Sequence, residues 1–108
     1  MIKARTLHGI IVNDLQWRIY NYKDRYNWNG AMNIVEKYRW RLPTANELKA
    51  FYDTGLHKLL ILKPKHYWSS TTYAPYTAGA WLVNFYNGFV YNNFKTSTGY
   101  VLCVKDAI

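Results

Sequence analysis

The residues of this 108-residue chain that could do covalent or metal chemistry are few: His8, His57, His66, Cys103 and the pair Ser69-Ser70. The three histidines stand at no spacing that lets them share a metal with one another or with a carboxylate. Each reads as a surface or loop histidine. Cys103 stands alone within the apolar stretch 100–104, which predicts a buried, inert thiol and excludes an internal disulfide or multi-cysteine metal site. Ser69 and Ser70 follow a Trp without the G-x-S-x-G elbow that exposes a nucleophile. No Gly-rich stretch precedes a helix to hold a phosphate. Residues 66–107 contain one acid, Asp106, too few carboxylates for a calcium loop. No catalytic constellation emerges, so the expectation is a protein that is not an enzyme and needs no cofactor.

A different chemistry is concentrated near the C-terminus. Residues 66–94 bear no Lys, Arg, Asp or Glu but many Tyr, Asn and Thr. Tyrosine offers a rigid, amphipathic contact at low entropic cost, and the amides and hydroxyls offer adaptable hydrogen bonds. An uncharged face also avoids the desolvation that buried Lys or Glu incurs at an interface.

The elements that position these residues can be read from local signals. Stretches 10–12 and 15–20 predict a strand pair around the turn-favouring Asn13-Asp14. A first helix is expected over about 29–38, with Ala31, Val35 and Tyr38 on one face and Asn27 or Asn29 as cap. A second over about 45–54 starts with the T-x-x-E capping box of Thr44 and Glu47 and ends at Gly55, suited to a left-handed cap. The Lys- and Leu-rich connection up to Tyr67 follows, and then only strand and loop.

Asn87-Gly88 is a strong signal for a two-residue type I′ hairpin turn. It would pair Tyr86 with Phe89, Phe85 with Val90, Asn84 with Tyr91, Leu82 with Asn93 and Trp81 with Phe94. Trp81, Val83, Phe85, Val90 and Phe94 would then face inward. Leu82, Asn84, Tyr86, Phe89, Tyr91 and Asn93 would face solvent. A last strand is expected over 100–104. Two helices followed by an antiparallel sheet make an α+β domain, one domain over residues 1–108.

The combination WRLPTANEL at 40–48, YWSSTTY at 67–73, AWLVNF at 80–85 and YVLCVK at 100–105 resembles the Lcl C-terminal domain family. DLQW at 14–17 and WNGAMNIVEKY at 28–38 extend the match in the same order. The resemblance implies a C-type lectin-like fold, with two helices packed on a small twisted antiparallel sheet. It also implies similarity to variable proteins diversified by retroelements, in which a fixed skeleton alternates with variable positions. Here that skeleton is Tyr67, Trp68, Ser69, Ser70, Thr71, Ala80, Trp81, Val83, Phe85, Gly88, Val90 and Lys95. The positions between are Thr72, Tyr73, Leu82, Asn84, Tyr86, Asn87, Phe89, Tyr91, Asn92 and Asn93. With Tyr76, these form the expected ligand-binding face. Its partner would be a protein, as in a receptor-binding piece or inhibitor from a phage or mobile element. The formylglycine-generating enzymes resemble the same scaffold but need two reactive cysteines. Trp40, flanked by Arg39 and Arg41, falls to the core in this family.

Charge supplies the alternative. The net charge is +8, and 12 of the 14 Lys and Arg lie in residues 1–65. Lys3, Arg5, Lys58, Lys63 and Lys65 would then recognise a polyanion, either nucleic acid or the sulfated glycans engaged by some relatives. Some relatives can trimerise, so a homo-oligomer is compatible with the resemblance. No apolar run approaches the ~18 residues of a membrane span. Without a signal-like apolar centre, cytoplasmic synthesis is the default expectation, with virion or surface association open to a phage protein.

Overall fold

The computed structural model describes residues 10–19, 24–60 and 62–107. The strand pair is β1 (Ile10–Val12) and β2 (Leu15–Ile19), with Val12 opposite Leu15. Asn13 and Asp14 both have positive φ, 53° and 63°, the signature of a type I′ turn. Helix α1 (Trp28–Lys37) is capped by the Asn27 side chain, which accepts from the Gly30 N–H. Helix α2 (Ala45–Asp53) carries the full capping box, and Gly55 behind it takes φ 77°. In the connection that follows lies a single turn of helix, α3 (Leu56–Leu59), which no local pattern had indicated.

Strands β3 (His66–Thr72), β4 (Gly79–Asn84), β5 (Val90–Phe94) and β6 (Leu102–Asp106) complete the chain. Among the described residues the strands form two antiparallel sheets rather than one, ordered β1-β2-β6 and β3-β4-β5. The final strand starts two residues later than expected. Tyr100 is spent on joining the sheets, bridging to Tyr67, while Trp68 donates its backbone N–H to the Tyr100 carbonyl at 3.1 Å.

Neighbouring residues of these strands point into two different cores. Val83 and Phe85, Leu102 and Val104, and Tyr67 join Trp17, Leu48 and Phe51 on the α2 side. Ala80 and Leu82, Val101 and Cys103, and Trp68 join Ala31, Val35 and Leu42 on the α1 side. The sheets thus lie between the two helices, as near-continuous apolar runs such as AWLV allow. Trp17 stacks on Phe51 with centroids 4.3 Å apart. Each such ring stabilises the fold by roughly 1.5–3 kcal/mol on burial.

Tyr38 departs from expectation. It stands just past the end of α1 and is exposed, because Ala31 and Val35 alone supply the buried stripe and the chain turns away through Arg39 at φ 66°.

Candidate functional site

Three of the residues of catalytic type, Cys103, Ser69 and His66, make hydrogen bonds within the fold. Cys103 is buried, its Sγ 3.4 Å from the Arg18 carbonyl. Burial pushes its thiol up to about 12, against a smaller opposing pull from the Arg18 and Lys105 charges. Ser69 is also buried; its hydroxyl donates to the Trp81 carbonyl at 2.7 Å and accepts from the Thr71 N–H. His66 pairs with the Thr98 carbonyl at 2.8 Å. Among the described residues no three His, Cys, Asp or Glu come together as a metal site.

His57 corrects the expectation of a surface histidine. It is buried on α3 with its ring 4.2 Å from that of Tyr52 and 5.5 Å from that of Phe85, and neither ring nitrogen has a hydrogen-bond partner. Desolvation lowers its pKa below the usual 6.5, and the Lys58 charge adds to the effect. The one-turn helix tucks this side chain inward. His8 lies outside the described residues.

The hairpin corrects a larger expectation. Its connection is not two residues but four, 85–88, closed by Asn84 and Phe89. Asn84 and Asn87 each use Oδ1 to accept a backbone N–H, from Tyr86 and Phe89 respectively. These side-chain turns compete with the type I′ geometry, and only Gly88 has positive φ, at 81°. The register is therefore displaced by two residues, pairing Val83 with Val90, Leu82 with Tyr91 and Gly79 with Phe94.

A shift of two keeps the same residues on the same face. What is reversed is which face of β5 is covered. Leu82 is only 1% exposed, and Tyr91 and Asn93 are half-buried over the α1-side core. Val90, Asn92 and Phe94 instead meet solvent. The physical reason is that β4 is the middle strand with a helix on each side, so no face of it is wholly free.

An exposed uncharged surface nevertheless exists, built from a partly different set. Phe94 is 55% exposed and meets Tyr76, 54% exposed, edge-on at 6.0 Å. Trp81 and Tyr73 meet in the same way at 5.1 Å. Trp81 lies opposite Asn92, beside a depression of ≈ 320 Å³ lined by Tyr76, Gly79, Asn92, Asn93 and Phe94. At the hairpin tip Tyr86 is 76% and Phe89 68% exposed.

Of the residues expected at the site, Tyr73, Tyr76 and Asn92 reach this surface, and Tyr86 and Phe89 are exposed separately at the tip. Leu82 is core. Asn84, Asn87 and Asn93 spend their carbonyls on local backbone bonds. Thr72 accepts from Lys95 Nζ at 2.9 Å, and that ammonium lies 4.1 Å from the Trp28 ring centroid. Trp81, Val90 and Phe94 were missed, although the unbroken apolar run AWLV was a signal that β4 is covered on both faces.

Tertiary structure also draws Lys65 toward the hairpin. Phe85 donates its N–H to the Lys65 carbonyl at 2.8 Å, and its ring packs against His57 and Tyr67. Lys65 is thereby held beside the hairpin, while Lys58 and Lys63 are also exposed and the Lys63 ammonium lies 5.7 Å from the Tyr100 ring centroid. Lys3 and Arg5 lie outside the described residues. Trp40 is half-buried against the α1-side core, with Lys105 Nζ 4.5 Å from its ring.

A family model described as the Lcl C-terminal domain matches residues 11–105. No curated protein matches the chain.

Proposed function

The chain belongs to the Lcl C-terminal domain family, and on that premise we propose that it is a non-enzymatic ligand-binding module for a protein partner. The carrying observation is the uncharged patch in which exposed Tyr76, Phe94 and Asn92 lie beside the half-buried pair Tyr73 and Trp81; Tyr86 and Phe89 are exposed separately at the hairpin tip. Strand pairing and edge-on ring contacts hold these side chains in place, which lowers the entropy lost on binding. Large exposed aromatics without charge are the composition of interface centres. The fold is proposed to be the C-type lectin-like one. Its support here is β2 pairing with β6, which brings the early and late parts of the domain together.

Retroelement diversification has weaker support. Leu82 falls at a position between the skeleton residues and is core, while the skeleton residue Val90 is exposed. The test is capture of partners from a host lysate by the protein and by a Tyr76→Ala/Phe94→Ala variant. A partner retained by the first and lost by the second, with an unchanged melting temperature, supports the reading. Equal capture by both defeats it.

The exposed Lys58, Lys63 and Lys65, with Lys65 bonded to the base of the hairpin at Phe85, favour a second reading, binding of a sulfated glycan or nucleic acid. Such affinity falls steeply with salt, because cations on the polyanion are released. Binding to heparin or single-stranded DNA that is flat from low to physiological salt removes it.

A further inference from the structure

Among the described residues, strand β5 is the outer strand of its sheet. In an antiparallel ladder, alternate residue pairs exchange backbone bonds and the others turn their polar groups away. Asn84 donates to the Phe89 carbonyl and Lys95 to the Ala78 carbonyl, both at 2.8 Å. Those two bonds set the phase. Tyr91 and Asn93 face β4, whereas the backbone groups of Val90, Asn92 and Phe94 point off the sheet edge.

Phe94 is satisfied locally, its N–H by Asn93 Oδ1 and its carbonyl by the Ser97 N–H. The N–H and C=O of Val90 and Asn92 have no hydrogen-bond partner among the described residues. The strand has no Pro, Lys or bulge, the usual guards of an edge.

We propose that a second copy of this chain covers that edge, β5 pairing antiparallel with β5 about a two-fold axis at Tyr91. Two copies fit because the free groups are self-complementary in one register. With Val90 opposite Asn92 of the second copy, and the reverse, all the unpaired groups of both strands bond one another. Charge selects the same place. Each copy carries +8, so two copies repel over most of their surfaces, but β5 has no charged residue. Lys95, just beyond it, is held back on Thr72 and Trp28. The paired edge leaves Trp81 and Tyr76 open on the sheet face, so this inference does not rest on the partner-binding reading.

Sedimentation equilibrium from dilute to concentrated solution tests it. The expected mass rises from 12.8 kDa toward twice that value, and amide exchange at Val90 and Asn92 slows as concentration rises. Asn92→Pro removes an N–H that faces away from β4, which an edge strand tolerates; the variant is expected to stay monomeric. Monomer mass at every concentration overturns the proposal, as does a doubled mass that survives in Asn92→Pro. If that variant does not fold, exchange in the unaltered chain decides, and concentration-independent Val90 and Asn92 amides overturn it. Tyr73→Ala/Tyr76→Ala, off the edge, is expected to keep the doubled mass whether or not it binds a partner.

Discussion

Gly88 lies against the Tyr52 ring so closely that a Cβ there would stand 2.5 Å from Tyr52 Cε2. This pairing seats the hairpin tip on α2. Gly88 also has φ 81°, where a side chain is disfavoured.

Gly88→Ala is expected to destabilise the domain by roughly 1–3 kcal/mol from overpacking, plus about 1–2 kcal/mol from the left-handed backbone. Gly55 provides the comparison, with φ 77° and nothing within 4 Å of an added Cβ. Gly55→Ala should show the backbone cost alone. Urea midpoints of the two variants separate the terms; equal losses would contradict the Tyr52 contact.

The reversed faces of the hairpin give a second contrast. Leu82→Ala empties a buried site and is expected to cost about 2–5 kcal/mol. Phe94→Ala removes an exposed ring and should stay within roughly 0.5–1.5 kcal/mol, the scale of its aromatic pairing with Tyr76. Thermal melts that rank the two the other way would put Phe94, rather than Leu82, in the core.

His57 makes stability depend on pH. Its folded pKa is depressed, so the charged form is disfavoured in the folded state and not in the unfolded one. Stability is complete above the ordinary 6.5 and is lost as pH falls through that value toward the folded pKa. The Arg41 hydrogen bond holds the Glu47 carboxyl below its usual 4.5, so a second loss belongs to more acidic solution. His57→Phe is expected to flatten the urea midpoint across the first window and leave the second unchanged. A persistent slope in the first window would assign it to another group.

Cys103 should resist alkylation. With a thiol pKa of about 12 and a buried side chain, almost no thiolate is present at pH 8 to attack iodoacetamide. Mass spectrometry is expected to find the folded protein unmodified and the denatured protein fully labelled. Rapid labelling of the folded chain would mean that β6 opens readily.

Elements carried by a few consecutive residues were legible without coordinates. The Thr44/Glu47 box, the Asn27 cap, Gly55 behind α2 and the Asn13-Asp14 turn all satisfy backbone groups within a few positions. Their energetics are local, so composition and spacing suffice. The family pattern likewise runs through both helices and the β4–β5 hairpin.

The side of β5 that meets water was decided elsewhere. Alternation along a strand states which residues share a face, but not what lies over it. Here α1 covers Leu82 and Tyr91, α2 covers Val83 and Phe85, and the remainder of the outer face is left open. The asparagines hid the register for a related reason, since Asn84 and Asn87 bond nearby amides that a two-residue turn would not present to them. His57 was pulled inward by a helical turn too short to show a periodic pattern. Local bonding follows from order along the chain, whereas burial is set by which distant elements come to rest on each face.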